Sequence, residues 1–193
     1  RVDLGWLEEY PSHTLAGFNE RLMNWLPTMI EHRCSIGERG GFFERLRTGT
    51  WMGHVLEHVT LEIQSLAGTE VGYGRAHETK KHGVYNVIIE YKEEEFAVHC
   101  LHAAHSLLIA AIEGSHFDVE KTIESLREKL LLEQLGPSTR SIVEAARRRD
   151  IPVRRLSEGS LVRLGIGSKQ RRIIAAETDQ TSAVSETIAQ DKE

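Results

Sequence analysis

The run TWMGHVLEHVTLEIQSL, residues 50–66, constrains this chain more than any other stretch. Met52, Val55, Leu56, Val59, Ile63 and Leu66 recur at helical spacing and make one apolar stripe that has to be covered. His54, Glu57, His58 and Leu61 point elsewhere on the same wheel, onto a face that packing does not require. At about 3.6 residues per turn His54 and His58 lie one above the other, with Glu57 beside them. That order, H-x-x-E-H, is the inverted zincin arrangement. Two imidazoles hold a zinc ion, a third protein ligand leaves one position for water, and Glu57 takes the proton of that water as catalytic base. Thr50 stands where an N-cap is useful. A solvated helix face in a chain with ten histidines produces such a string too.

Composition narrows the alternatives. A length of 193 residues accommodates one domain of ordinary size and a smaller second unit, and 40% hydrophobic residues suffice for a core. No apolar run is expected to approach the roughly 20 residues that span a bilayer, and RVDLGWLEEY lacks the sections of a signal peptide. The expectation is a cytoplasmic protein with no membrane partner. Cys34 and Cys100 are too few for a disulfide framework, so reduced thiols are expected. The net charge of -5 is unevenly spread, because ten basic and three acidic residues lie between Arg140 and Arg172. Aromatic side chains are absent from that basic stretch, which argues against a nucleic-acid partner.

The chain divides near Gly136 and Pro137, giving expected units 1–135 and 136–193. In the first, Phe18, Leu22, Trp25 and Leu26 predict a helix that Pro27 kinks or ends. SIGERGGF reads as a loop before a short helix, VGYGRAHETKKHG as a polar loop, and GVYNVIIEY as a strand. Helices follow from about Phe96 to Glu113 and from Asp118 to about Leu135. In the second unit SIVEAARRRDI predicts a helix, and PVRRLS, SLVRLGIG and RRIIAAET predict extended segments. The fold class expected is α+β or α/β, mostly helical in the first unit with a small sheet, and α/β by alternation in the second.

These stretches also carry a resemblance. GPSTRSIVEAARRRDIPVRRL, SLVRLGIGSKQRRI and TDQTSAVSETIAQDKE resemble the entry into the ATP-grasp region of the bacterial cyanophycin synthetase family. HRCSIGERGGFFERLRTGTWMGHVLEHVTLEIQSLAG and VGYGRAHETKKHGVYNVIIEY resemble its N-terminal domain. The resemblance implies a parent enzyme that joins aspartate and arginine into multi-L-arginyl-poly-L-aspartate with ATP and magnesium, working as a homo-oligomer. Its ATP-grasp and Mur-ligase-like modules would lie almost wholly beyond Glu193, so residues 136–193 would be only the opening of the ATP-grasp module. Gly165, Ile166 and Gly167 stand where the family has a G-Y-G-like turn.

Two function classes compete for the first 135 residues. In one, His54 and His58 bind zinc, Glu57 is the base, and the segment slowly hydrolyses cyanophycin into primers. In the other it is a non-catalytic polymer-binding scaffold. Glu90, at the end of the expected strand, is the first choice for the third zinc ligand, with Glu78 and His77 behind it. Arg75 is the candidate for a substrate carboxylate or an oxyanion, with Glu78 as a second substrate contact. His99, His102 and His105 read as a polar helix edge, and His32 and Cys34 as packing or loop residues.

Overall fold

The computed structural model describes residues 1–133, 135–157, 159–175 and 177–190. The chain separates into two units, Arg1–Leu130 and Leu131–Glu193. The expected end of the second unit, residues 191–193, lies outside the described residues.

The first unit opens with β1 (Val2–Asp3) and a 3-10 turn, Gly5–Glu9, and then forms α1 (Phe18–Trp25). Pro27 ends that run and starts a separate 3-10 turn, Pro27–Glu31, because its ring lacks the N–H that would continue the helix. A further 3-10 turn, Cys34–Ile36, leads into α2 (Gly41–Thr48) and α3 (Met52–Leu66). Two strands, β2 (Gly74–Glu78) and β3 (Val84–Ile89), precede α4 (Glu94–Glu113) and α5 (Val119–Glu133). Asp118 caps α5 by accepting the N–H of Lys121 at 2.9 Å.

The sheet of this unit has the order β1-β3-β2 and is antiparallel throughout. The polar run GRAHE, expected as loop, is therefore a strand, with Arg75 opposite Ile88 and His77 opposite Asn86. α3 packs against α4 on one side and against β2 and β3 on the other. Every residue from Val55 to Gln64 is consequently buried. The expected spare polar face is not a solvated one: it lies beneath the sheet and carries Glu57, His58, Thr60, Glu62 and Gln64 inside the protein. Gly53 permits this closeness, since a Cβ there would lie 2.9 Å from the ring of Tyr85.

The opposite side of α3 meets a core that includes Phe18, Leu22, Phe42, Phe96 and Leu107. α4 presents Phe96, Cys100, Ala104, Leu107 and Ala111 to it, a stripe at helical spacing. By length and composition alone α4 could cross a membrane, contrary to the expectation that no apolar run approaches that length.

The second unit contains α6 (Pro137–Arg147), β4 (Val153–Arg155), β5 (Val162–Leu164), β6 (Arg171–Ile174), β7 (Glu177–Thr178) and α7 (Ala183–Gln190). Its strands follow one another as an antiparallel sheet, β4-β5-β6-β7. Val143, Val162 and Ile173 form its small core. Helix–strand alternation predicted an α/β unit here. The strands are instead joined by short turns, which suffice for antiparallel pairing but not for parallel crossovers. The fold is thus mixed α+β in both units.

Candidate metal centre

The polar side of α3 meets two neighbouring segments, carrying His32 and Cys34, which the sequence reads only as packing or loop residues. The 3-10 turn Cys34–Ile36 brings the Cys34 Sγ to 3.3 Å from His54 Nε2. His54 Nε2 in turn lies 3.1 Å from His58 Nε2. Cys34, His54 and His58 each offer a ligand atom within 4.8 Å of the others. A tetrahedral zinc ion sets N–N separations of about 3.3 Å and N–S separations of about 3.6 Å, so these donors are already near ligand spacing.

The outer nitrogens fix the rings. His54 Nδ1 is 2.8 Å from Thr50 Oγ1, so Thr50 orients that ring rather than capping α3, whose N-cap is Trp51 without a side-chain bond. His58 Nδ1 lies 2.9 Å from His32 Nδ1, and His32 Nε2 is 2.7 Å from Glu62 Oε2. Thr28 donates its hydroxyl to the other oxygen of Glu62. A carboxylate only accepts, so His32 donates from Nε2; with its Nδ1 bare, His58 donates from Nδ1 and presents a bare Nε2. His54 presents a bare Nε2 as well when its Nδ1–H donates to Thr50. In that tautomer two lone pairs face each other beside the Cys34 thiol, an arrangement suited to a shared cation. Carboxylate–imidazole chains of this kind orient metal-binding histidines and raise their basicity.

Electrostatics agree with neutral imidazoles. Burial, with a smaller effect from Arg45, lowers the His54 pKa to about 4. Burial, helped by His54 and His32, lowers that of His58 to about 3. Phe42 stacks on the His58 ring with centroids 4.2 Å apart, which dries that side. Glu57 Oε1 is 4.0 Å from His58 Nε2, yet with a neutral imidazole this is no ion pair. Burial raises the Glu57 pKa to about 7, against the N–H of Ala76, which donates to its carboxylate. Gly74 allows β2 to lie over Glu57, since a Cβ there would sit 2.7 Å from Oε1.

His32, Cys34, Thr50, His54, Glu57 and His58 open onto a cleft of about 880 Å³, lined also by Arg33, Arg45, Trp51, Arg75 and Tyr85. Arg75 lines the cleft, and Arg45 joins it with a buried Nε that has no hydrogen-bond partner. Glu90 is not brought to the histidine pair. It is exposed, and its Oε2 accepts the N–H groups of Gly72 and Tyr73 at 2.8 and 2.9 Å, which lowers its pKa. Glu78 does not line the cleft either; its carboxylate holds His82 and the N–H of Gly83. His77 is exposed and lies 3.3 Å from the Asn86 side chain. His102 and His105 are exposed on α4, and no ligand group among the described residues includes them.

The position of Cys34 depends on a tight backbone contact. A Cβ on Gly41 would lie 2.0 Å from the carbonyl oxygen of Arg33, so only glycine lets the first turn of α2 pass under this loop. Gly41→Ala is expected to cost about 1–3 kcal/mol by overpacking and to weaken zinc binding by displacing Cys34. Thermal melting and a zinc titration measure both. Gly72→Ala, where a Cβ meets open space, serves as the neutral control.

Residues 1–113, which hold every side chain of this centre, match the family model described as the cyanophycin synthase-like N-terminal domain. The chain belongs to this family. The cyanophycin synthetases of Synechocystis sp. and Trichormus variabilis are each 42% identical to it over 196 aligned residues, covering 100% of the chain. That of Geminocystis herdmanii is 40% identical over the same span. The chain spans 22% of the length of each of these relatives. Within the cyanophycin synthase-like N-terminal domain, the H-x-x-E-H helix thus supplies two of the three clustered donors and the 3-10 turn before α2 supplies the third.

Proposed function

We propose that this segment is a zinc-dependent hydrolase of cyanophycin, working slowly to generate short primers within an ATP- and magnesium-dependent ligase that joins aspartate and arginine. The observation that carries the hydrolase reading is the convergence of Cys34, His54 and His58, with their donor atoms at ligand spacing, beside the buried carboxyl of Glu57. The donor set of one thiolate and two imidazoles suits zinc and leaves a fourth position open. Bound there, zinc would lower the pKa of a water and polarise an amide carbonyl.

The chain's own residues do the rest. Glu57 accepts the proton of the attacking water and returns it to the leaving amine, held in place by the Ala76 N–H and the close passage of Gly74. Arg75 and Arg45 face the cleft as planar forks for carboxylates of a polymer whose backbone is aspartate. His32, Glu62 and Thr28 hold the ring of His58 in one orientation.

Residues 136–193 are proposed as the opening of the ATP-grasp module. On this division the 193-residue chain should shorten polymer without consuming ATP. Chelation should stop amine release and added zinc should restore it, while ATP supplied with aspartate, arginine, magnesium and polymer stays intact. Chelator-insensitive shortening would remove the metal from the reading. Inertness towards polymer under both conditions would leave the domain as a polymer-binding scaffold.

A further inference from the structure

A second group of side chains with metal-ligand chemistry lies outside the cleft: Glu8, Glu78 and His82, each offering an atom within 4.8 Å of the others. The fold assembles it from distant stretches. Glu8 lies in the 3-10 turn Gly5–Glu9, Glu78 ends β2, and His82 sits in the turn between β2 and β3. The N–H of Leu4 donates to the carbonyl of Gly83 at 2.9 Å and holds that turn against the N-terminal segment. His82 Nδ1 lies 2.8 Å from Glu78 Oε1 and 3.9 Å from Glu8 Oε1.

Glu8 is the unusual member. Its side chain is only 9% exposed. Oε1 accepts hydrogen bonds from the indole N–H of Trp51 at 2.9 Å and the hydroxyl of Tyr85 at 3.3 Å. Oε2 is buried and has no hydrogen-bond partner. Among the described residues the one ion-pair partner within reach of Glu8 is His82, and only when that ring is protonated. Lys81 nearby is taken by Asp3 at 3.1 Å. A buried carboxylate with an unsatisfied oxygen is costly unless it is paired or coordinates a metal. Two carboxylates with one imidazole face one another here without a fixed positive charge.

We propose that Glu8, Glu78 and His82 bind a second divalent cation of the zinc class, separate from the Cys34–His54–His58 centre. Imidazole with carboxylate is a donor set that such ions accept, and the exposure of His82 and Glu78 leaves water to complete the shell. The cation satisfies the charge of Glu8 and ties the β2–β3 turn to the N-terminal segment. Trp51 and Tyr85, both bonded to Glu8, line the cleft, so the ion braces one cleft wall without touching the reacting groups.

Cobalt titration of the unaltered chain separates the two sites, because only the first has a thiolate. Two equivalents should bind, one producing a thiolate charge-transfer band and one producing none. Glu78→Gln combined with His82→Ala, both at exposed positions, should abolish the bandless equivalent and leave the band intact. Cys34→Ser should remove the band and leave one equivalent bound. Far-ultraviolet circular dichroism checks that each variant is folded. Binding of a single band-producing equivalent to the parent, or unchanged stoichiometry in the Glu78/His82 variant, would overturn the second site. A missing band with the bandless equivalent still present would instead count against the first centre alone.

Discussion

Glu57→Gln is expected to reduce polymer shortening by about 10²–10⁴-fold, the range that a positioned proton acceptor contributes, while zinc content and polymer binding stay unchanged. Glutamine keeps the size of the side chain, and its amide oxygen still accepts the N–H of Ala76. What it loses is the capacity to take a proton beside His58. A Glu57 kept for structure would leave the variant less stable than the parent, whereas its electrostatics predict the reverse. In the metal-free chain its pKa of about 7 lies above the unfolded value of 4.5, so the folded state holds the proton that the unfolded state releases. That proton stabilises the fold below pH 4.5, and its benefit is lost as pH rises through 7. Glutamine stays neutral throughout, so the metal-free variant should melt at a higher temperature than the parent at pH 8, the difference shrinking towards pH 4.5. A more stable chain that no longer shortens polymer assigns Glu57 to the chemistry. Equal shortening by variant and parent would dismiss it.

α3 was readable because fifteen residues of periodic pattern leave little choice of element. Its surroundings were not. The apolar stripe identifies the side that most needs cover, but the sheet covers the other side too, and that depends on glycines at 53 and 74 rather than on hydrophobicity. β2 escaped notice because GRAHE has neither β-branched residues nor alternation; pairing with β3 makes it a strand. The third member of the Cys34–His54–His58 cluster is illegible for a similar reason. Glu90 looked rigid at a strand end, whereas Cys34 sits in a short turn twenty residues before His54 and meets it only through the packing of α2 under Arg33. One local signal was available: Glu62 lies one helical turn beyond His58, on the same face, where an orienting carboxylate belongs. The division of roles between His32 and Glu62 is a matter of tertiary proximity that spacing does not encode.

Cys34→Ser should lower zinc affinity by at least about 100-fold, since changing residues that merely orient metal ligands already costs 10–100-fold. The hydroxyl occupies nearly the same place but does not supply a thiolate, and two imidazoles alone hold zinc weakly. His54→Ala should do the same from the other side of the centre. Backbone strain has to be separated from ligation, because Cys34 adopts φ +51°, a region that costs a non-glycine residue on the order of 1 kcal/mol. Cys34→Gly relieves that cost and should melt no earlier than the parent, yet it should bind zinc as poorly as the serine variant. Glu90→Gln provides the contrast: it loosens the turn at Gly72 and Tyr73 but should leave zinc affinity as it was. Parent-like affinity in both Cys34 variants together with a loss in Glu90→Gln would return the third position to the strand end. The reverse pattern, isothermal titration showing tight binding only where the thiol is kept, makes the turn before α2 the segment that completes the centre, and explains why a residue with positive φ is held there.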